Sequence, residues 1–204
     1  MDKKAEMGMG TLIIFIAMIL VAAVAAKVLI STTGTLQNKA LSTGKATSQE
    51  VGTSLRAIEA YGEDGTDQDI EYLFMTIKLS SGSDEIRLQD TLLSLNLKDS
   101  SLDYQYNTSV RCANTSYYQN VSAAYNMTLL NQSNFGVNYQ ITGTNNKSGY
   151  LTKGDVVQVC IKTPRAINES EGVKLTMMPM VGAPMVIDSS TPDLMVDTRI
   201  PIYP

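Results

Sequence analysis

An uninterrupted apolar run close to the N-terminus constrains this chain more than any other feature. Residues 12–26 carry no charge, and the apolar character resumes after Lys27 through Ile30. Lys3 and Lys4 precede the run. With its flanks it is about 20 residues long, which is the length that a helix needs to cross the hydrocarbon core of a bilayer. A cleaved secretory signal, a permanent membrane anchor and a buried helix of a globular domain all fit this run.

The residues after the run argue against a signal that is removed behind it. Ala23, Ala25 and Ala26 supply the small side chains of an ordinary cleavage site. However, the apolar pattern continues past them, and its later members fall at helical spacing; they are Leu29, Leu36, Ala40, Leu41, Val51, Leu55 and Ile58. We therefore predict one helix that continues to Tyr61 and is ended by Gly62 and Gly65.

A helix from Glu6 to Tyr61 would be about 80 Å long at 1.5 Å per residue. A small domain cannot bury the apolar end of such a rod. The rod must therefore lie in a membrane or against identical rods from neighbouring copies of the chain.

The composition argues against enzymes and nucleic-acid-binding proteins. The 204 residues include no histidine and no tryptophan, and 16 basic and 20 acidic residues give a net charge of −4. Without histidine the chain lacks the commonest general acid or base and the commonest transition-metal ligand. No cluster of lysine and arginine offers a surface to a phosphate backbone. We expect no catalytic site, no cofactor, no metal and no nucleic-acid partner.

Beyond Gly65 the pattern changes to short strand-like runs separated by turn signals. The predicted strands are Ile70–Leu79, 86–97, 102–110, 117–129, 156–161, 173–178 and 185–187. Acidic residues gather at 63–69, but they lack the spacing of an EF-hand calcium loop, so we expect a solvated turn there. The fold class predicted is α+β, in which a long hydrophobic N-terminal helix precedes a β-sandwich or barrel-like head.

Two features of the head concern its covalent chemistry. If the chain is exported, Cys112 and Cys160 can pair, and the alternative is two separate buried thiols. Seven asparagines begin an Asn-x-Ser/Thr sequon, the acceptor of N-linked glycans; they are Asn107, Asn114, Asn120, Asn126, Asn131, Asn146 and Asn168. Glycans at these positions would require the surrounding surface to face outward.

The apolar run also carries a family resemblance. GMGTLIIFIAMILVAAVAAKVLI, residues 8–30, closely resembles the N-terminal signature of archaeal flagellins, or archaellins. LTKGDVVQVCI at 151–161 resembles a strand of archaellin heads, and the segments at 174–195 and 200–204 are similar to the C-terminal part of that family. Residues 64–150 carry no such resemblance.

The resemblance implies a short class III leader, removed by a prepilin-type membrane peptidase on the cytoplasmic side. Aligned on the signature, the cut falls between Ala5 and Glu6. Family members usually have glycine before the cut, so the alanine leaves a cut after Gly8 open. The domains expected are a leader at 1–5, a polymerisation helix at 6–62 and an outer head at 63–204.

The resemblance further implies a subunit of the archaellum, the archaeal motility filament. The precursor would insert transiently into the cytoplasmic membrane with its lysines inside. The helix would then pack against identical or paralogous subunits through a face made by Leu12, Ile13, Ile16, Leu20, Val24 and Val28. Glycosylated heads would coat an extracellular filament, which a membrane motor and assembly platform would build and turn. The alternatives are an adhesive archaeal pilus subunit and a surface protein anchored singly in the membrane.

Overall fold

The structure is a computed structural model that describes residues 3–63, 69–110, 112 and 130–203. The chain divides into two compact units, Met1–Ser48 and Gln49–Pro204. The first consists of most of one helix, and the second contains a β-rich head together with the last turn of that helix.

The helix, α1, spans Lys3–Gly52. It ends earlier than predicted, because residues 55–63 form strand β1 and not helix. Val51, Leu55 and Ile58 share a helical spacing but not a face: Leu55 is buried in the head, whereas Val51 is exposed. Strand β1 pairs with a neighbouring strand on each side, and this pairing prevails over the local periodicity. The predicted boundary at residue 62 is therefore wrong.

The head contains eleven described strands. They are β1 Leu55–Glu63, β2 Ile70–Leu79, β3 Ile86–Arg87, β4 Thr91–Asn96, β5 Ser101–Tyr106, β6 Asn134–Ile141, β7 Tyr150–Leu151, β8 Val156–Ile167, β9 Gly172–Pro179, β10 Met185–Ser190 and β11 Arg199–Tyr203. A 3-10 turn, Leu88–Asp90, separates β3 from β4 and interrupts the strand predicted at 86–97. The predicted strand at 117–129 lies outside the described residues.

Nine of these strands form one mixed sheet in the order β10-β9-β4-β5-β6-β8-β2-β1-β11, and β3 pairs with β7. Strands β5 and β6 run parallel, whereas the other described pairs are antiparallel. The two edge strands approach each other, since the Ser189 hydroxyl on β10 donates a hydrogen bond of 2.6 Å to the carbonyl of Ile202 on β11. The sheet thus curls into a barrel-like layer, which confirms the predicted fold class.

The main hydrophobic core is one cluster of buried side chains contributed by the strands of the head. Phe135, Leu93 and Ile77 are among its fully buried members. Tyr104 reaches it with a polar end, and its hydroxyl donates to the Lys162 carbonyl at 2.7 Å. Burial raises the pKa of Tyr104 above its ordinary value, so the phenol stays a donor.

Candidate polymerisation surface

The apolar side chains of α1 are exposed in the isolated chain. The six residues of the predicted polymerisation face are between 49% and 65% exposed. They are Leu12, Ile13, Ile16, Leu20, Val24 and Val28. By length and composition α1 can cross a membrane. No residue of its most apolar stretch is buried inside the protein. An apolar surface of this extent marks a site of contact with protein or lipid.

The apolar surface extends around the whole helix between residues 12 and 26. Side chains outside the predicted face are equally exposed; they are Ile14, Phe15, Met18, Ile19 and Val21. A helix that is apolar on all sides is buried on all sides, in a membrane or in the interior of a bundle. The six residues stay the predicted polymerisation face, and the exposure of their neighbours extends the candidate surface around the helix.

Three hydroxyl side chains in the polar part of α1 are satisfied within the helix. Thr32 donates to the Val28 carbonyl at 2.9 Å, Thr35 to the Thr32 carbonyl at 2.8 Å, and Ser42 to the Lys39 carbonyl at 3.0 Å. These groups can enter a water-poor environment without an unmade hydrogen bond. These three positions are thus compatible with packing against other helices.

A disulfide joins Cys112 to Cys160, with the Cα atoms 5.5 Å apart. Both residues are fully buried, and they form a small apolar cluster with Phe74 and Leu130. Cys160 lies on β8 between β2 and β6, whereas Cys112 lies beyond the end of β5. The bond therefore ties the segment after β5 to the middle of the sheet.

Tyr61, which lies in the same apolar cluster as the disulfide, contacts side chains of three other strands. Its ring stacks on Phe74 of β2 at a centroid distance of 5.2 Å, and its hydroxyl accepts a hydrogen bond of 2.6 Å from the Gln158 amide of β8. The guanidinium of Arg199 on β11 lies 3.6 Å from the ring centroid. Burial raises the pKa of Tyr61 to about 12, although Arg199 opposes the shift. These contacts explain why residues 55–63 form a strand.

Four of the seven predicted sequon asparagines lie in the described part of the chain. Asn131, Asn146 and Asn168 are exposed, and Asn107 is partly exposed. Asn107 directly follows β5, and Asn131 precedes the first residue of β6 by three residues. Asn114, Asn120 and Asn126 lie outside the described residues.

A buried carboxylate fastens the loop at 143–149 to the turn before β8. Asp155 accepts hydrogen bonds from the Gly143 N–H at 2.7 Å, the Thr152 N–H at 2.9 Å and the Thr152 hydroxyl at 2.8 Å. Burial raises the pKa of Asp155, but these hydrogen bonds outweigh it, and the net pKa lies below the ordinary value. Gly143 is required here because a Cβ would lie 2.4 Å from the Lys153 carbonyl.

We expect Asp155→Asn to destabilise the head at neutral pH. An amide cannot accept hydrogen bonds on both sides, so one buried donor loses its partner at a cost of about 1–3 kcal/mol. The folded-state pKa is depressed, so the stabilisation is fully present above the ordinary aspartate pKa of about 3.9 and is lost progressively as the pH falls from there through the folded-state pKa. Melting temperatures from pH 7 to pH 3 should show the gap between variant and native chain closing in acid. Asp188→Asn, at an exposed position, serves as the control. A constant gap at all pH values would contradict this account.

Arg165 organises a second polar cluster at the end of β8. Its guanidinium binds Asp99 through Nε at 2.9 Å and Glu171 through Nη1 at 2.9 Å. The hydrogen bond from Arg165 holds the pKa of Glu171 below its ordinary value, although burial opposes the shift. The ion pair between Arg165 and Glu171 therefore links the two ends of the connection between β8 and β9.

The acidic run at 63–69 is only partly described. Glu63 is buried at the end of β1, between β2 and β11, so it is not part of a solvated turn as predicted. Residues 64–68 lie outside the described part of the chain. Within the residues that the structure does describe, no group of three or more histidine, cysteine or acidic side chains could hold a metal ion.

Comparison with known proteins gives consistent matches. A family model for archaeal-type flagellin matches residues 5–189. Flagellin B1 of Thermoplasma volcanium is 32% identical, with 98% of this chain and 92% of that protein covered. Flagellin B2 of Methanocaldococcus jannaschii is 36% identical, with 97% of this chain and 93% of that protein covered.

Two solved structures share the fold. The crystal structure of archaeal flagellin FlaB1 from Methanocaldococcus jannaschii superposes with a TM-score of 0.64 at 26% identity and covers 74% of this chain and 97% of that one. The archaeal flagellum of Methanospirillum hungatei strain JF1 gives a TM-score of 0.66 at 17% identity and covers 97% of this chain and 99% of that one.

Proposed function

Because the chain belongs to the archaeal-type flagellin family, it is a structural subunit of the archaellum filament, and we propose that it polymerises through the apolar surface of α1. The observation that carries this proposal is the exposure of apolar side chains on all sides of the helix from residue 12 to residue 26. Burial of each large aliphatic or aromatic side chain is worth about 1.5–3 kcal/mol relative to water. A single subunit cannot bury this surface, but a bundle of identical helices can.

The partners proposed for α1 are identical or paralogous subunits. The two flagellins from Methanocaldococcus jannaschii named above support the paralogous case, because they come from one organism. Each helix would contact its neighbours through different sides, so the association is heterologous, and we propose that the rotation between subunits does not close a ring. An open helical polymer follows, with the heads on its surface.

The archaellum filament is an extracellular structure, and we propose that the subunit reaches it through the cytoplasmic membrane. α1 is long and apolar enough to span a bilayer. Lys3 and Lys4 precede its apolar run, which favours their retention on the cytoplasmic side. The interior of a membrane and the interior of a helix bundle are similarly apolar. The transfer of α1 from the membrane to the filament therefore relies on side-chain packing between helices. A membrane motor and assembly platform would extract and turn the polymer.

We propose that a prepilin-type peptidase removes the leader between Ala5 and Glu6, with a cut after Gly8 as the alternative. The family model begins its match at residue 5, immediately before this position. We expect the N-terminal peptide of the protein in sheared surface filaments to start at Glu6, with the apolar run intact. Mass spectrometry of that peptide tests the processing and the polymer together. A start near Lys27, or absence of the protein from filaments, would contradict the proposal.

We also propose that the head carries N-linked glycans. The described sequon asparagines are exposed or partly exposed. We expect glycopeptide mass spectrometry of filaments to find at least two modified sequons. Unmodified masses for all seven sequon peptides would contradict this expectation.

A further inference from the structure

The outward surface of β4, β9 and β10 changes from apolar to polar along the strands. In these strands alternate residues point into the core, and they include Leu93, Met177 and Met185. Among the residues between them, Leu92 and Met178 form an apolar pair at one end of the sheet, and Val186 lies one row further along, beside Thr176. Those at the other end are polar: Asn96, Lys174 and Ser190. The strand register places Leu92 beside Met178 and Asn96 beside Lys174.

The connection between β9 and β10 adds two apolar side chains at the apolar end. Met180 is 80% exposed and Val181 is 47% exposed. With the three apolar strand residues they make a surface that we call the hairpin patch, formed by Leu92, Met178, Met180, Val181 and Val186. None of the five carries a charge. Of the five methionines between residues 177 and 195, Met177, Met185 and Met195 are buried, whereas Met178 and Met180 are exposed.

The hairpin patch is held in a fixed conformation. The Met180 N–H donates to the Asp90 carbonyl at 3.0 Å, and the Ala183 N–H donates to the Thr53 carbonyl at 2.9 Å. Gly182 has a φ of 118°, and a Cβ at this position would lie 2.6 Å from the Thr53 oxygen. Backbone contacts on both sides of the connection between β9 and β10 therefore keep the side chains of Met180 and Val181 exposed to water.

The hydrogen bond from Ala183 to Thr53 shows where the hairpin patch lies in the head. Thr53 directly follows Gly52, the last residue of α1, and precedes strand β1. The apolar end of the outward surface is therefore the end at which the helix joins the head. An exposed apolar patch that is confined to one end of a surface is typical of a contact site.

We infer that the hairpin patch is a contact surface for a second copy of this chain in the filament. This inference rests on the proposed polymerisation through α1, since helices that pack together bring the junctions between helix and head of neighbouring copies close to one another. The full sequence has a net charge of −4 and removal of the leader would leave the subunit acidic, so an uncharged surface lowers the repulsion where copies meet. Exposed methionines suit such a contact because their flexible side chains adapt to irregular surfaces.

Thiol labelling in filaments tests this inference. Met180→Cys introduces a thiol into the patch, and Ser190→Cys introduces one at the polar end of the same outward surface. The native Cys112 and Cys160 do not react because they form a disulfide. We expect a maleimide to label both variants equally in detergent-solubilised subunits. In intact filaments we expect labelling at position 180 to fall at least about tenfold, whereas labelling at position 190 stays within about twofold.

A measurement on the native chain avoids any dependence on the substitutions. Hydrogen peroxide should oxidise Met180 in solubilised subunits and spare it in filaments, with buried Met177 as the protected reference in both states. Filaments in which position 180 reacts as fast as in free subunits would overturn the inference and leave the proposed polymerisation intact. Absence of the chain from filaments would overturn both, so the two failures are distinguishable.

Discussion

Ile16→Asp is expected to abolish filaments that contain the variant while the head stays folded. Ile16 lies in the middle of the apolar run, and the nearest described basic side chain along α1 is that of Lys27, eleven residues away. In a helix bundle the new carboxylate would be buried without a partner, at a cost of several kcal/mol in every subunit of the polymer. Because the transfer of α1 from lipid to bundle gains only side-chain packing, we expect this penalty to prevent assembly.

Electron microscopy of sheared material, with quantification of the subunit in the membrane fraction, measures this effect. Insertion of the variant into the membrane is penalised by only about 2.5–3.5 kcal/mol, so a detectable membrane fraction should remain. The melting temperature of the detergent-solubilised full chain should equal that of the native protein, because Ile16 lies outside the compact unit that contains the head.

Gln37→Asp is the matched control, because it adds the same charge to the polar part of the same helix. We expect the control to form filaments. Normal filaments from Ile16→Asp would show that this part of α1 is not packed against other copies. Equal loss from both variants would show that added charge, and not the apolar surface, is the cause.

Removal of the disulfide is expected to have the largest effect on the stability of the head. The bond between Cys112 and Cys160 spans 48 residues of sequence. Closure of such a loop restricts the unfolded chain by about 4 kcal/mol on the entropic model. For a unit of the size of the head, a loss of 4 kcal/mol corresponds to a fall in melting temperature of about 8–16 °C. The double variant Cys112→Ala, Cys160→Ala tests this without leaving an unpaired thiol.

Reductant provides the control for this experiment. It should lower the melting temperature of the native chain by a similar amount and leave the double variant unchanged. A double variant that melts within about 2 °C of the native protein would show that the bond contributes little. In that case the apolar cluster around Phe74 and Leu130 would suffice to hold the segment after β5.

The helix and the general architecture could be predicted because their signals are local. A charge-free run of this length has few physical solutions, and the short alternating runs after Gly65 are typical of strands. The predicted strand Ile70–Leu79 agrees with β2 at both ends. The N-terminal and C-terminal motifs were sufficient to indicate the family, which the comparisons confirm.

The misplaced end of the helix has a non-local cause. Leu55 and Ile58 continue an apolar spacing that is compatible with a helix, and nothing nearby in the sequence forbids one. They form a strand because β2 and β11 supply backbone partners from positions far along the chain, and because Tyr61 is held by Phe74, Gln158 and Arg199. No short sequence window contains those partners.

The composition of α1 thus sufficed to predict a helix that needs an apolar environment, since hydrophobicity and helical periodicity are properties of neighbouring residues. The functional surfaces of the head depend on contacts between distant residues. Met178 and Met177 are adjacent and chemically identical, yet one is exposed and the other buried, because the pleat of β9 points them to opposite sides of the sheet. The hairpin patch arises from the register of three strands and from Thr53, and these relationships exist only in the folded chain.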